Sequence, residues 1–167
     1  MKACSLAILL VLLSLTSCVD RPYSEAELSS LFIGSWNSSS SFETNAADTH
    51  IIMQSQGRTT FRNDGTITSE TDTLMRIKVP EGEVPVAYHA VVHGNWSIDG
   101  QMLRTSRTSE EINPKDEVSQ KFIEREGMSK LRSQSPTNFV YTLRHISAQK
   151  IVALDAQGTR TTYRRDE

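Results

Sequence analysis

Four histidines and a scatter of carboxylates are the side chains best suited to metal or acid–base chemistry. His89 and His93 are spaced i, i+4, which on a helix would put both imidazoles on one face, as in zinc hydrolases. Their surroundings, VAYHAVVHGNWSI over residues 86–98, alternate with the period of a strand instead. At about 3.3 Å per residue the two Cα atoms then stand about 13 Å apart, too far for one metal about 2 Å from each nitrogen. His50 or His145 could complete a site across strands; the simpler reading is histidines facing solvent. Asp48, Asp64, Glu70, Asp72, Glu81 and Glu83 could supply a glycosidase-type pair, but each also fits a solvated position. There is no Gly-x-Ser-x-Gly elbow, no Ser-x-x-Lys and no glycine-rich phosphate loop. The residues therefore point to a protein that binds rather than catalyses, with no metal or other cofactor.

Composition narrows the class further. The chain has 167 residues, with 18 Lys and Arg against 20 Asp and Glu. A net charge of −2 offers nothing to attract polyphosphate, so nucleic acid is not an expected partner. The apolar share of 37% is enough for one folded domain and argues against disorder throughout.

The elements that must position any site are mainly strands. Ser and Thr are abundant, and Asn63-Asp64-Gly65, Asp99-Gly100 and Ala156-Gln157-Gly158 mark turns between strand-like stretches. Expected strands run over 32–42, 49–54, 58–62, 66–79, 86–98, 101–108, 137–147, 150–155 and 159–164. The short connections predict an antiparallel meander of about eight or nine strands, and Pro80 and Pro85 place a loop at 80–85. In 86–98 the even positions Val86, Tyr88, Ala90, Val92, Gly94, Trp96 and Ile98 form one apolar face, and Gly94 is a plausible bend. Residues 115–133 are rich in charge and helix formers. Val118, Phe122, Ile123 and Leu131 can share a stripe, so one helix is expected there, packed on or plugging one end of the sheet. Residues 19–30 read as a polar tether, with Ser24 and Glu27 as a possible capping box for one turn.

The amino-terminal segment carries a resemblance. Lys2, the apolar run from Leu6 to Leu15, and Leu15-Thr16-Ser17-Cys18 together resemble the signal and lipobox of bacterial lipoproteins. The resemblance implies a diacylglycerol thioether on Cys18, cleavage before it and acylation, commonly with palmitate, of the new amino terminus. An ordinary secretory signal with a chance cysteine is the alternative. Two or more acyl chains give a stable anchor where one does not. In the enteric sorting rule an Asp directly after the Cys retains the protein in the inner membrane. Val19 is not that signal, so the inner leaflet of the outer membrane, facing the periplasm, is favoured, with Asp20 leaving the inner membrane open. The expected organisation is a signal peptide over 1–17, lipidated Cys18 and tether over 18–30, and a domain over 31–167. Cys4 leaves with the signal, so no internal disulfide or thiolate metal site is expected.

A second resemblance spans residues 32–164. Ile33-Gly34-Ser35-Trp36 resembles the Gly-x-Trp opening of lipocalin-like, calycin-type barrels. Phe61 to Thr66, Gly94-Asn95-Trp96-Ser97-Ile98-Asp99-Gly100 and the close from Ile151 to Arg164 resemble the hairpins of small bacterial lipocalin-like domains. The resemblance implies a single up-and-down β-barrel with Gly34, Trp36 and Trp96 as structural signature. It also implies a late basic residue, Arg164 or Arg165, stacked over Trp36. In such a barrel the even face of 86–98 points inward. Tyr88, Ala90 and Val92, with Tyr141, are then the candidate contacts for a small apolar or amphipathic ligand. A filled barrel acting as an interaction module for another envelope protein, through the helix at 115–133, is the alternative. Replacement of Cys18 by Ser is expected to abolish metabolic labelling with palmitate and to release the protein from membranes. Unchanged labelling and retention would refute the lipobox reading.

Overall fold

Alternating polar and apolar residues separated by tight turns give hairpin after hairpin, and the chain closes them on themselves. The computed structural model describes residues 23–46, 49–80, 82–125 and 137–166. Eight strands, each antiparallel to the next, form a closed barrel in chain order. They are β1 (Gly34–Ala46), β2 (Thr49–Phe61), β3 (Thr66–Val79), β4 (Gly82–Asp99), β5 (Met102–Pro114), β6 (Asn138–Ile146), β7 (Lys150–Leu154) and β8 (Arg160–Arg164). Helix α1 (Glu25–Phe32) precedes the barrel, and α2 (Glu117–Arg125) lies between β5 and β6. The single up-and-down β-barrel expected from the sequence is the fold observed. None of the described helices is long and apolar enough to cross a membrane.

Several strand boundaries differ from expectation: β1 begins at Gly34, with Phe32 in α1, and runs on to Ala46, and β5 continues past 108 to Pro114. The segments 49–54 and 58–62 are one strand, because Gly57 is a point of close approach and not a break. A Cβ there would lie 2.0 Å from the Glu70 carbonyl oxygen. The proline segment 80–85 is mostly strand, with Val79 already paired to Gly82. Pro85 is tolerated because β5 ends opposite Tyr88. Beyond that point one edge of β4 asks for no ladder donor.

The barrel is tall on one side and short on the other. Strands β1 to β5 have 13 to 18 residues, whereas β7 and β8 have 5 each. Closure of β8 on β1 spans Asn37–Ser41 alone, and β6 meets β5 over Met102–Ser106.

Helix α1 seals the short end. Ser24 caps it in a reciprocal box with Glu27, and Leu28 and Phe32, one turn apart, are fully buried. The Phe32 ring lies 5.0 Å from Phe61, 6.0 Å from Trp96 and 6.2 Å from Tyr163. Residues 25–30, read as tether, are thus part of a plug. The segment looked polar because its large apolar residues gather at its carboxyl end. The Glu25 carboxylate accepts from the Gly100 amide at 2.8 Å, which docks the helix start on the β4–β5 turn.

Trp36 is buried as expected, and its indole Nε1 donates to the Phe32 carbonyl at 2.7 Å. The residue stacked on it is Arg165, 4.5 Å from the ring centroid, and not Arg164. Alternation explains the choice. Tyr163 points inward and is buried, so Arg164 points out, and Arg165 is free to turn over the barrel end. Its Nη2 donates to the carbonyls of Leu31 and Ile33 at 2.8 and 3.0 Å. Gly34 takes φ +118°, and the Arg165 guanidinium passes 3.7 Å from where a Cβ would stand. Trp96 is half-buried against the same core and donates to the Arg62 carbonyl at 3.0 Å.

A second core fills the tall end. Met75, Val86, Tyr88 and Ala90 are buried there, with Phe122 and Ile123 of α2 packed against them. Asp116 accepts from the Ser119 amide at 2.7 Å to start the helix. The fully buried Ser119 hydroxyl accepts from the Ala87 amide at 2.8 Å. Val118, expected on the packed stripe, is instead 53% exposed. The rest of the expected helix, 126–133, lies outside the described residues, as does Cys18.

Replacing Phe32 by Ala removes the ring at the centre of the sealed end. It should destabilise the barrel by about 3–5 kcal/mol. The expected readout is a lower urea midpoint at unchanged m-value. A loss below about 1 kcal/mol would mean that the helix is not part of the cooperative core.

Candidate functional site

The interior between the two cores is shaped by one irregularity. The pairing of β4 with β5 shifts register at His93 and Gly94. Gly94 stands opposite Arg107 and His93 opposite Ser109, so Thr108 is an extra residue without a partner across the ladder. Its hydroxyl donates to the His93 carbonyl at 3.1 Å. The kink needs glycine at position 94, since a Cβ there would meet the Ser106 carbonyl oxygen at 2.0 Å.

The bulge changes which side chains enter the barrel. In a regular strand residues three apart face opposite sides. The added residue turns both Arg107 and Glu110 inward, where they form an ion pair at 2.9 Å with side chains 17% and 19% exposed. They line a cavity of about 260 Å³ together with Val92, Ile67, Phe139 and Tyr141. Phe139 and Tyr141 stack with centroids 6.4 Å apart. Thr59 and Ser69 add hydroxyls that share a hydrogen bond at 2.9 Å, and Thr59 also donates to Ser38. Apolar walls and one charged pair suit a guest with an apolar body and a polar end.

The four expected contacts divide between cavity and core. Val92 and Tyr141 line the cavity. Tyr88 and Ala90 point inward as expected but pack in the second core. The Tyr88 hydroxyl reaches the Met53 sulfur at 3.8 Å. Arg107 and Glu110 were not foreseen. A charged residue on a strand reads as solvent-facing, and Gly94 was the only sign that the alternation would slip.

Burial sets the acidity of the inner tyrosines. The Tyr141 phenol is pushed up to about 12 by burial, with a smaller contribution from the Asp155 charge. Tyr163 is raised further, by burial foremost and by the neighbouring Tyr141. Tyr88 is raised by burial, partly offset by a hydrogen bond with Thr73.

The histidines lie outside. His89 bonds Asp72 at 3.0 Å, His93 bonds the Thr68 hydroxyl at 3.2 Å, and His50 bonds Glu43 at 2.7 Å. Lys115 also reaches Asp72, at 2.8 Å, and these two partners, Lys115 foremost, hold its carboxyl below the usual range. Asp64 is lowered by hydrogen bonds from Thr66 within its turn. Among the described residues no three His, Cys, Asp or Glu side chains gather as a metal site. Asp48 and Glu81 lie outside the described residues.

The buried tyrosines predict a loss of stability at high pH. Unfolding returns Tyr141 to a pKa of about 10. The native state therefore binds its proton more tightly, and the stability this gives below pH 10 fades as the pH rises towards about 12. Urea midpoints should fall between about pH 10 and 12, and Tyr141→Phe should shallow that fall while Tyr163 keeps part of it. An identical slope in the variant would refute the assignment.

No family model and no curated protein matches the chain.

Proposed function

We propose that this is a lipid-anchored, lipocalin-like binding protein of the bacterial envelope, held through Cys18 and facing the periplasm. It takes a small amphipathic molecule into the barrel and does no chemistry on it. The observation that carries the reading is the Arg107–Glu110 pair inside the cavity. Desolvating two charges costs several kcal/mol per ion, and well-packed apolar residues would often serve stability as well or better. A charged pair beside unfilled space is better explained as an anchor for a polar group. The volume of about 260 Å³ is slightly under the 300–1,000 Å³ of drug-sized pockets, so the guest is small.

A second reading has its own support. The barrel is packed at both ends, and α2 presents the exposed Val118 beside charged neighbours. That surface fits an accessory lipoprotein docking another envelope protein through α2.

Native mass spectrometry of the gently extracted protein, followed by displacement of an anionic fluorescent amphiphile, separates the two. The binding reading expects a bound or displaceable guest. Val92→Trp should block the cavity, and Arg107→Met should weaken binding at least tenfold. A protein that carries and binds no amphiphile, yet crosslinks in cells to one partner through α2, would overturn the binding reading in favour of the second.

A further inference from the structure

The four-serine run Ser38–Ser41 has no role in the interior site, and the fold gives half of it another surface. Ser38 points inward and is nearly buried, so Ser39 and Ser41 point out. They lie on the floor of a groove of about 830 Å³ on the outer wall. The register shows how its side chains line up. Thr162 of β8 stands opposite Ser39, Ser39 opposite Gln56, and Gln56 opposite Asp72 of β3, which in turn faces His89 of β4. With about 4.8 Å between strands, that row runs about 19 Å across the barrel wall. The next row carries Arg160, Ser41 and Gln54. Small hydroxyl side chains leave the wall concave there, where larger ones would fill it.

The charges have a pattern. Arg160 and Arg164 form one side of the groove, and neither makes an ion pair among the described residues. Lys115 stands on the other side, and the carboxylate between, Asp72, is already met by Lys115 and His89. The groove is thus cationic on a chain whose net charge is −2. Beneath the groove β1 is paired on both sides from Ser39 to Ser41, so an extended peptide lying on that row finds no strand edge to join; the free edge of β1 begins only at Phe42. What remains is a row of hydroxyls and carboxamides, which both donate and accept, beside the guanidiniums of Arg160 and Arg164, which match carboxylates.

We propose that this outer groove binds an acidic oligosaccharide. Its sugar hydroxyls lie along the row from Thr162 to Gln56, and its carboxylates meet Arg160 and Arg164. The site is separate from the interior cavity.

Titration calorimetry of the detergent-solubilised full chain with tetragalacturonate tests this, with maltotetraose and tetraglutamate as neutral and peptide probes. Tetragalacturonate should bind at least tenfold more tightly than either, and raised salt should weaken it. The double variant Arg160→Gln, Arg164→Gln should lose at least tenfold in affinity, and Gln56→Ala severalfold. Both changes are on the surface, and circular dichroism should show an unaltered barrel. Val92→Trp, which fills the interior, should leave tetragalacturonate binding unchanged. No binding of tetragalacturonate, or binding indifferent to the double variant, would overturn the proposal. Equal or tighter binding of tetraglutamate would overturn it in favour of an acidic peptide.

Discussion

Arg165 holds the two ends of the described chain together, and the sealed barrel depends on it. A helix leaves its last carbonyls without partners, and burying them unpaired is costly. Here α1 ends beneath the barrel floor. Its final carbonyls are met by groups from elsewhere: the Trp36 indole takes Phe32, and one Arg165 nitrogen takes Leu31 and Ile33. The same guanidinium covers the Trp36 ring, adding a cation–π attraction of about 0.5–2 kcal/mol. A cation at a helix carboxyl end also meets the negative pole of its dipole. Three separate favourable terms converge on one side chain, and Gly34 leaves the room for it to pass.

The bulge at Gly94 is the counterpart at mid-height. Without it, the interior of β5 would continue in step and exclude either Arg107 or Glu110. With it, the two cores are separated by a polar waist. The aromatic-rich cluster below and the mixed cluster around Met75, Val86 and Tyr88 above are separate groups of buried side chains. The cavity lies where neither reaches, and its volume follows from a change of register rather than from an absence of large residues.

Much of the fold was legible because its signals are local. The alternation over 66–79 and the turns at Gly65, Gly100 and Gly158 read correctly, since each rests on period-two patterning or a glycine at positive φ. The Gly-x-Trp opening pointed to a basic partner for Trp36, and alternation along β8 decided which arginine it was. The misses were non-local. Gly57 looks like a break until the Glu70 carbonyl is known to lie against it. Leu28 looks like tether and Phe32 like the start of a strand until Phe61, Trp96 and Tyr163 close around them. Of the expected ligand contacts, facing direction was readable for Tyr88, Ala90 and Val92. Which of them border a cavity depends on how high each core rises, and no single strand encodes that.

The closure of β8 on β1 also bears on the order in which the molecule assembles. Consecutive hairpins from β1 to β5 join neighbours in sequence and need only short loops to close. The β1–β8 ladder and the Arg165 contacts join residues more than a hundred positions apart, 134 in the case of Leu31. Loop-closure entropy places such contacts late, and topologies rich in them fold slowly. The five tall strands can therefore form a curved sheet first, with Phe32 and Trp36 still uncovered. The aromatic end sets only when the last strand arrives, so the end that holds most of the large fully buried side chains is the end that folding reaches last.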